Sequence, residues 1–271
     1  RLRCDWSSDV CSSDLVEMFM LSKLFNRLPV DVVEIDFPYF LDQQNTKQRQ
    51  HDFVFVRDLF VSNQNGTCII SKFKEKARQV EADIMQIMLD SMGYKTIRIP
   101  SKSTATAEGG EFYYCPQDGV LFSGACRNNV KGAEWVAQEF NVDELVLMKS
   151  NAFHIDTLFI PVINLENTLV AVIACTSLME KDSVENLKLF AKRKEIELVE
   201  VPPEDAIGTE NELGEFAVNC EPIPGYLIGP TRFRSNKVAP LLKELGVMHI
   251  TVPTTQFRLS GGAIHCLTNE L

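Results

Sequence analysis

A unit of about 50 residues recurs along the chain, and a repeat of that length limits the fold more than any other feature. Four strand-like segments close the units: Tyr94–Pro100 (YKTIRIP), Asp143–Ser150 (DELVLMKS), Ile196–Pro202 (IELVEVP) and Met248–Pro253 (MHITVP). Their starts lie 49, 53 and 52 residues apart. Each follows a segment of helical periodicity: Lys74–Met92, Lys131–Phe140, Ser183–Lys194 and Asn236–Leu245. Ahead of every helix stand two β-like runs joined by turn residues: Asn65-Gly66, Asp118-Gly119, Glu166-Asn167 and Pro224-Gly225. Asn-Gly and Asp-Gly suit tight hairpins because both central residues tolerate positive φ. The unit therefore reads strand, turn, strand, helix, strand, and four copies run from Asp52 to Pro253.

The two ends supply the parts of a fifth unit. Val16–Leu28 reads as an amphipathic helix, Val30–Asp36 as a strand, and Gln256–Leu271 is expected to carry the opening strands. Joining the ends closes a ring of five, the closure used by propellers. The expected fold is thus α/β, a five-bladed propeller of ββαβ modules in one domain over 16–271. Asp5–Leu15 (DWSSDVCSSDL) fits nothing that follows and reads as a translated sequencing-adapter oligonucleotide; it has no apolar core, so it is not a signal peptide. On that reading residues 1–15 stand outside the domain and the native N-terminus lies outside this sequence.

Composition narrows the class further. The 271 residues carry 27 Lys plus Arg against 37 Asp plus Glu, a net charge of −10, which argues against nucleic-acid or membrane-surface partners. No apolar run is long enough for a membrane span. Eight cysteines are scattered without a C-x-x-C pair, which excludes a zinc module or small disulfide scaffold and points to the cytoplasm. No metal constellation is visible, and self-association is left open.

Four short motifs fall at matching places in the ring, each in or just before an opening strand of a different repeat. They are Phe55-Val56-Arg57-Asp58, Glu108-Gly109-Gly110-Glu111, Phe153-His154-Ile155-Asp156-Thr157, and the segment from Gly261-Gly262 through His265-Cys266 to Thr268. Strands that line the axis of a ring bring such residues together. In this order the motifs resemble the guanidino-group-modifying superfamily, the penteins, which includes arginine and agmatine deiminases, dimethylarginine dimethylaminohydrolase and the amidinotransferases. The resemblance covers Phe53 to Leu271, and it implies the same fivefold ββαβ propeller and a small-molecule guanidino substrate.

The residues make chemical sense beside the resemblance. A guanidinium is a planar cation that carboxylates can hold bidentately, and attack on its carbon needs a strong nucleophile and an acid for the departing amine. Cys266 is the expected nucleophile, forming a covalent amidino-cysteine; the other native cysteines read as core thiols. His154 is the expected general acid and base, and residues i and i+2 share a strand face, which sends His154 and Asp156 to the same side. On the same argument His265 points away from Cys266. Asp58 and Asp156 are expected to grip the guanidinium, and Glu108 to orient and charge His154 as the third member of a triad. Arg127, by its match to a substrate-carboxylate arginine of the deiminases, and Arg258 are expected to bind the far end of the substrate.

Asp156 favours an unmethylated guanidine, because members acting on methylated arginine tend to lack that carboxylate. Glu111 departs from the Asp usual after E-G-G. The expected activity is hydrolysis of a guanidine C–N bond of arginine or a close analogue, without a cofactor. An amidinotransferase or a dimethylarginine dimethylaminohydrolase shares these residues. A non-catalytic binding protein of the same fold has no use for the set. A papain-like protease would carry its nucleophile near the mature N-terminus. A further C-terminal domain, as in cyanobacterial arginine dihydrolases, stays open.

Overall fold

Gly66 at φ +78° and Gly119 at φ +62° reverse the chain where the sequence places hairpin turns, and the strands on either side pair antiparallel. A computed structural model describes residues 12–35 and 51–271; residues 1–11 of the adapter-like segment, and Asp36 at the end of the expected strand, lie outside the described residues. The first module pairs β1 (Phe60–Ser62) with β2 (Thr67–Ile70), crosses over through α2 (Gln79–Ser91) and returns as β3 (Lys95–Arg98) parallel to β2. The second repeats this with β4 (Phe112–Cys115), β5 (Val120–Gly124), α3 (Val130–Glu139) and β6 (Glu144–Met148). The third uses β7 (Phe159–Ile163), β8 (Leu169–Ala174), α4 (Lys181–Arg193) and β9 (Glu197–Glu200). The fourth uses β10 (Glu221–Ile223), β11 (Tyr226–Gly229), α5 (Val238–Glu244) and β12 (Met248–Thr251). The result is a mixed α/β protein with four three-stranded sheets, each in sequence order.

Burial grades across every sheet. The opening strand β7 and its partner β8 are apolar runs (FIPVI and LVAVIA) buried almost throughout, as strands covered on both faces must be. Closing strands are partly exposed: β3 and β12 bury neither end, and β9 buries only Val199. Segments that lead into opening strands therefore sit in the interior, and that is where the first three motifs fall.

The ends depart from expectation. Residues 31–35 form no strand, and Gln256–Leu271 folds as two short helices, α6 (Thr255–Leu259) and α7 (Ile264–Leu267), instead of opening strands. Gly261 at φ +95° turns the chain between them. Helix α1 (Ser12–Phe25) lies against α6: Glu17 Oε1 accepts the backbone N–H of Thr255 at 2.9 Å, and Leu21 packs in one cluster with Val252, Phe257, Ile264 and Leu267. The two ends of the chain thus share a core.

Candidate active site

All four motifs form tight turns just ahead of strands or at the chain end. Val56–Leu59, Gly109–Glu111 and Ile155–Thr157 are single 3₁₀ turns, and Cys266 lies in α7. The turn at 56–59 touches both the turn at 109–111 and α7, and the turn at 109–111 touches the one at 155–157. The strand-face argument for His154 and Asp156 is corrected accordingly: His154 caps a 3₁₀ turn that contains Asp156, and turn geometry rather than strand alternation delivers both. The two glycines of E-G-G-E permit this contact. A Cβ on Gly110 would lie 2.5 Å from Asp58 Oδ1 and 2.7 Å from His154 Nδ1, and one on Gly109 would meet the Arg57 carbonyl oxygen at 1.9 Å.

His154 is gripped from both ring nitrogens. Nε2 lies 3.0 Å from Glu108 Oε2, and Nδ1 faces Asp58 Oδ1 at 3.3 Å in ion-pair rather than hydrogen-bond geometry. Burial disfavours a charged imidazole, but Asp58, Glu108, Glu111 and Asp156 outweigh it and raise the pKa to about 9. His154 is therefore an imidazolium at neutral pH. It rests as an acid.

Cys266 is buried, and its Sγ donates to Asp156 Oδ2 at 3.4 Å. Burial first, then the charges of Asp156 and Asp58, push the thiol well above its ordinary range. Asp156 is itself pushed up to about 7, chiefly by burial, with His154 pulling the other way. Asp58 Oδ1 and Asp156 Oδ1 are both buried without a hydrogen-bond partner among the described residues. Two desolvated carboxylate oxygens beside a neutral thiol form a site with unmet demand for a cation that carries N–H groups.

Three further residues belong to the arrangement. Asn219, fully buried, donates through Nδ2 to Cys266 Sγ (3.2 Å) and to the Asp156 carbonyl oxygen (3.1 Å), while Oδ1 accepts from Ala263 N (3.1 Å). It precedes β10 by two residues, as Asp58 precedes β1. The sequence reading drew a motif from every module except this fourth one, and the repeat position was the signal available. His265 was expected to point away from the site. On a helix instead of a strand, its Nδ1 lies 2.8 Å from Asp156 Oδ2, and burial drives its pKa well below the ordinary value, so the ring is neutral. Glu111 is the third. Its Oε1 accepts from Cys126 N (3.0 Å) and Arg127 N (2.6 Å), its Oε2 from Ile155 N (2.8 Å). This one carboxylate ties the loop of Arg127 to the turn of His154 and Asp156.

The two arginines differ. Arg127 stacks on Phe153, 4.0 Å from its ring centroid, beside His154 in sequence, and faces Glu75 at 3.6 Å. Arg258 is bound to Glu215 Oε2 (2.9 Å) and the Gly214 carbonyl oxygen (3.2 Å), and no hydrogen bond or ion pair among the described residues brings it to the cluster. Arg78, which the sequence reading passed over, donates to Asp58 Oδ2 at 2.5 Å and to Glu81 at 2.8 Å.

Residues 34–271 match the model of a family described as N,N dimethylarginine dimethylhydrolase, eukaryotic. No curated protein matches the chain. Among solved structures, the apo form of ArgZ, an arginine dihydrolase from the ornithine–ammonia cycle in cyanobacteria, superposes with a TM-score of 0.75 at 19% identity, covering 95% of this chain and 37% of that one. A variant of the ArgZ N-terminal domain, covalently bound to a reaction intermediate, gives 0.70 at 19% identity over 95% of this chain and 85% of that one. An adduct of a dimethylarginine dimethylaminohydrolase with 4-chloro-2-hydroxymethylpyridine gives 0.69 at 16% identity over 96% and 91%. These likenesses are to pentein enzymes, and the chain spans little more than a third of full-length ArgZ.

Proposed function

The chain belongs to the eukaryotic-type N,N-dimethylarginine dimethylhydrolase family, and from that premise we propose that it hydrolyses a C–N bond of L-arginine through a covalent amidino-cysteine. The observation that carries this reading is the pair of buried carboxylate oxygens, Asp58 Oδ1 and Asp156 Oδ1, that accept no hydrogen bond among the described residues. They suit a guanidinium with N–H groups on both terminal nitrogens, which unmethylated arginine has and asymmetric dimethylarginine has on one side only. The family match favours dimethylarginine as the second reading.

In the proposed mechanism Asp58 and Asp156 hold the N–H groups of the guanidinium, whose positive charge lowers the Cys266 pKa; the thiol loses its proton to water, and the thiolate Sγ attacks the guanidine carbon. His154, already protonated, gives its proton to the departing nitrogen, and that C–N bond breaks. Neutral His154, kept in place by Glu108, then takes one proton from water, which attacks the amidino carbon; the C–S bond breaks, and the remaining hydroxyl proton returns the thiolate to the resting thiol. Arg127 takes the substrate carboxylate; Arg258, committed to Glu215, is the weaker candidate for that role. The family's five-module ring supports reading the joined ends, α1 against α6 with a shared core, as the fifth module. All six cysteines among the described residues are unpaired, which supports a cytoplasmic setting. Among the described residues no helix is long and apolar enough to cross a membrane.

The decisive assay offers L-arginine and asymmetric dimethylarginine separately and identifies the released amine and the amino-acid product by mass spectrometry. Ammonia from arginine is expected, with citrulline after one hydrolytic round or ornithine after two. Dimethylamine from dimethylarginine with arginine inert would reverse the substrate, and no turnover of either would overturn the hydrolase reading.

Glu111 makes a separate prediction. Glu111→Asp shortens the side chain so that it cannot span from the Arg127 loop to Ile155, and losing one of these charge-assisted bonds costs about 1.5–3 kcal/mol. KM for L-arginine is expected to rise about tenfold or more, the equivalent of about 1.4 kcal/mol, and kcat to fall with it. Steady-state kinetics checks this; a fall in kcat at unchanged KM would show that the Arg127 loop stands without Glu111.

A further inference from the structure

We propose a divalent-cation site formed by Glu221, His265 and Glu270 on the far side of His265 from the nucleophile. A carboxylate oxygen from each glutamate and a ring nitrogen of His265 all lie within 4.8 Å of one another. These residues come from β10, α7 and the C-terminal segment, so the fold and not sequence proximity gathers them.

Three observations point to a bound cation. His265 is fully buried, its Nδ1 is taken by Asp156, and its Nε2 has no hydrogen-bond partner among the described residues. A histidine whose one nitrogen donates to a carboxylate while the other is free is the usual arrangement of a metal-ligating imidazole, because the carboxylate fixes the tautomer and raises the basicity of the free nitrogen. Tyr113 supplies the second observation independently. Its ring lies 4.3 Å from that of His265, and its buried hydroxyl is also unpartnered. The third is that both carboxylates are held in place. Arg57 donates to Oε2 of Glu221 at 2.6 Å and to Oε2 of Glu270, and Thr268 donates to Oε2 of Glu221 at 2.6 Å. All three of these bonds end on Oε2 atoms, which fixes the orientation of the two carboxylates toward His265.

A route exists as well. Glu221, Thr268 and Glu270 line a cavity of about 560 Å³, together with Asp31 and Glu34, and among the described residues its lining contains no Lys, Arg or His. None of Cys266, His154, Asp58 or Glu108 lines it, so it is a compartment separate from the candidate active site. Mixed imidazole and carboxylate donors suit Zn²⁺ or Mn²⁺ rather than a soft thiophilic ion. An ion on Nε2 would hold His265 as the tautomer that donates from Nδ1 to Asp156, which links this compartment to the carboxylate beside Cys266.

The test is equilibrium dialysis of the full chain against Zn²⁺ and, separately, Mn²⁺, with metal counted by mass spectrometry. The wild type, Cys266→Ser, Glu221→Gln and Glu270→Gln are compared, each checked for folding by circular dichroism. One ion per chain is expected in the wild type and in Cys266→Ser, with at least a tenfold weaker affinity in Glu270→Gln. Glu270 is partly exposed, so its variant keeps the test valid should Glu221→Gln fail to fold. No binding by the wild type would overturn the site. So would binding that disappears in Cys266→Ser and persists in Glu270→Gln, because the ion would then sit on the nucleophile. The readout is independent of turnover, so it stands or falls separately from the proposed reaction.

Discussion

Cys266→Ala is expected to lower kcat for L-arginine by about 10⁴-fold or more, since removing the nucleophile of a covalent mechanism removes every step that follows it. Steady-state product assay measures the loss, and intact-mass analysis of acid-quenched enzyme supplies the second arm: an amidino adduct on the wild type and none on the variant. The substitution removes a side chain that is almost fully buried and takes the Nδ2–H of Asn219, so a small stability loss of about 1–2 kcal/mol accompanies it. A loss of that size leaves the chain folded at assay temperature, and the two effects separate cleanly in a thermal melt. Full activity in Cys266→Ala would remove the covalent mechanism and leave a directly activated water as the alternative.

Sequence periodicity carried the four modules because it is local. Each helix must bury one face, each hairpin must turn on residues that accept positive φ, and both demands are written within about 50 residues. The helices and closing strands fall within a few residues of their expected positions, Lys131–Phe140 against Val130–Glu139 for example. The joined ends were less legible, because α6 and α7 are shaped by packing against α1 and the interior rather than by their own pattern. The same division runs through the site. Cys266, His154, Asp58, Glu108 and Asp156 are all brought together, since chemistry of this kind needs recognisable residue types. Asn219, His265 and Glu111 act through hydrogen bonds between elements that are far apart in sequence, and an Asn or a His in isolation announces no such bond. The cluster of Glu221, His265 and Glu270 escaped for the same reason: its donors are spread over three segments with no ligand spacing.

Asp156→Asn separates substrate holding from thiol activation, because the two roles predict changes of opposite sign. As a holder of the guanidinium, Asp156 must be ionised, and burial places its pKa at about 7 in the resting enzyme. Protonation below that value removes the charge, so kcat/KM of the wild type is expected to fall as pH drops through about 7. The asparagine has no such charge to lose, so kcat/KM of the variant is expected to be lower by about 10²–10³-fold at neutral pH, and the acid limb set by Asp156 to vanish. The thiol should respond the other way. Asp156 is the nearest charge that raises the Cys266 pKa, so its neutralisation lowers that pKa and speeds alkylation of Cys266 by iodoacetamide. Slower turnover with faster alkylation is therefore the expected pair of results, measured on the same preparation across pH 6 to 9. If both rates fall together, Asp156 serves to draw the proton from sulfur, and the grip on the guanidinium rests on Asp58 alone.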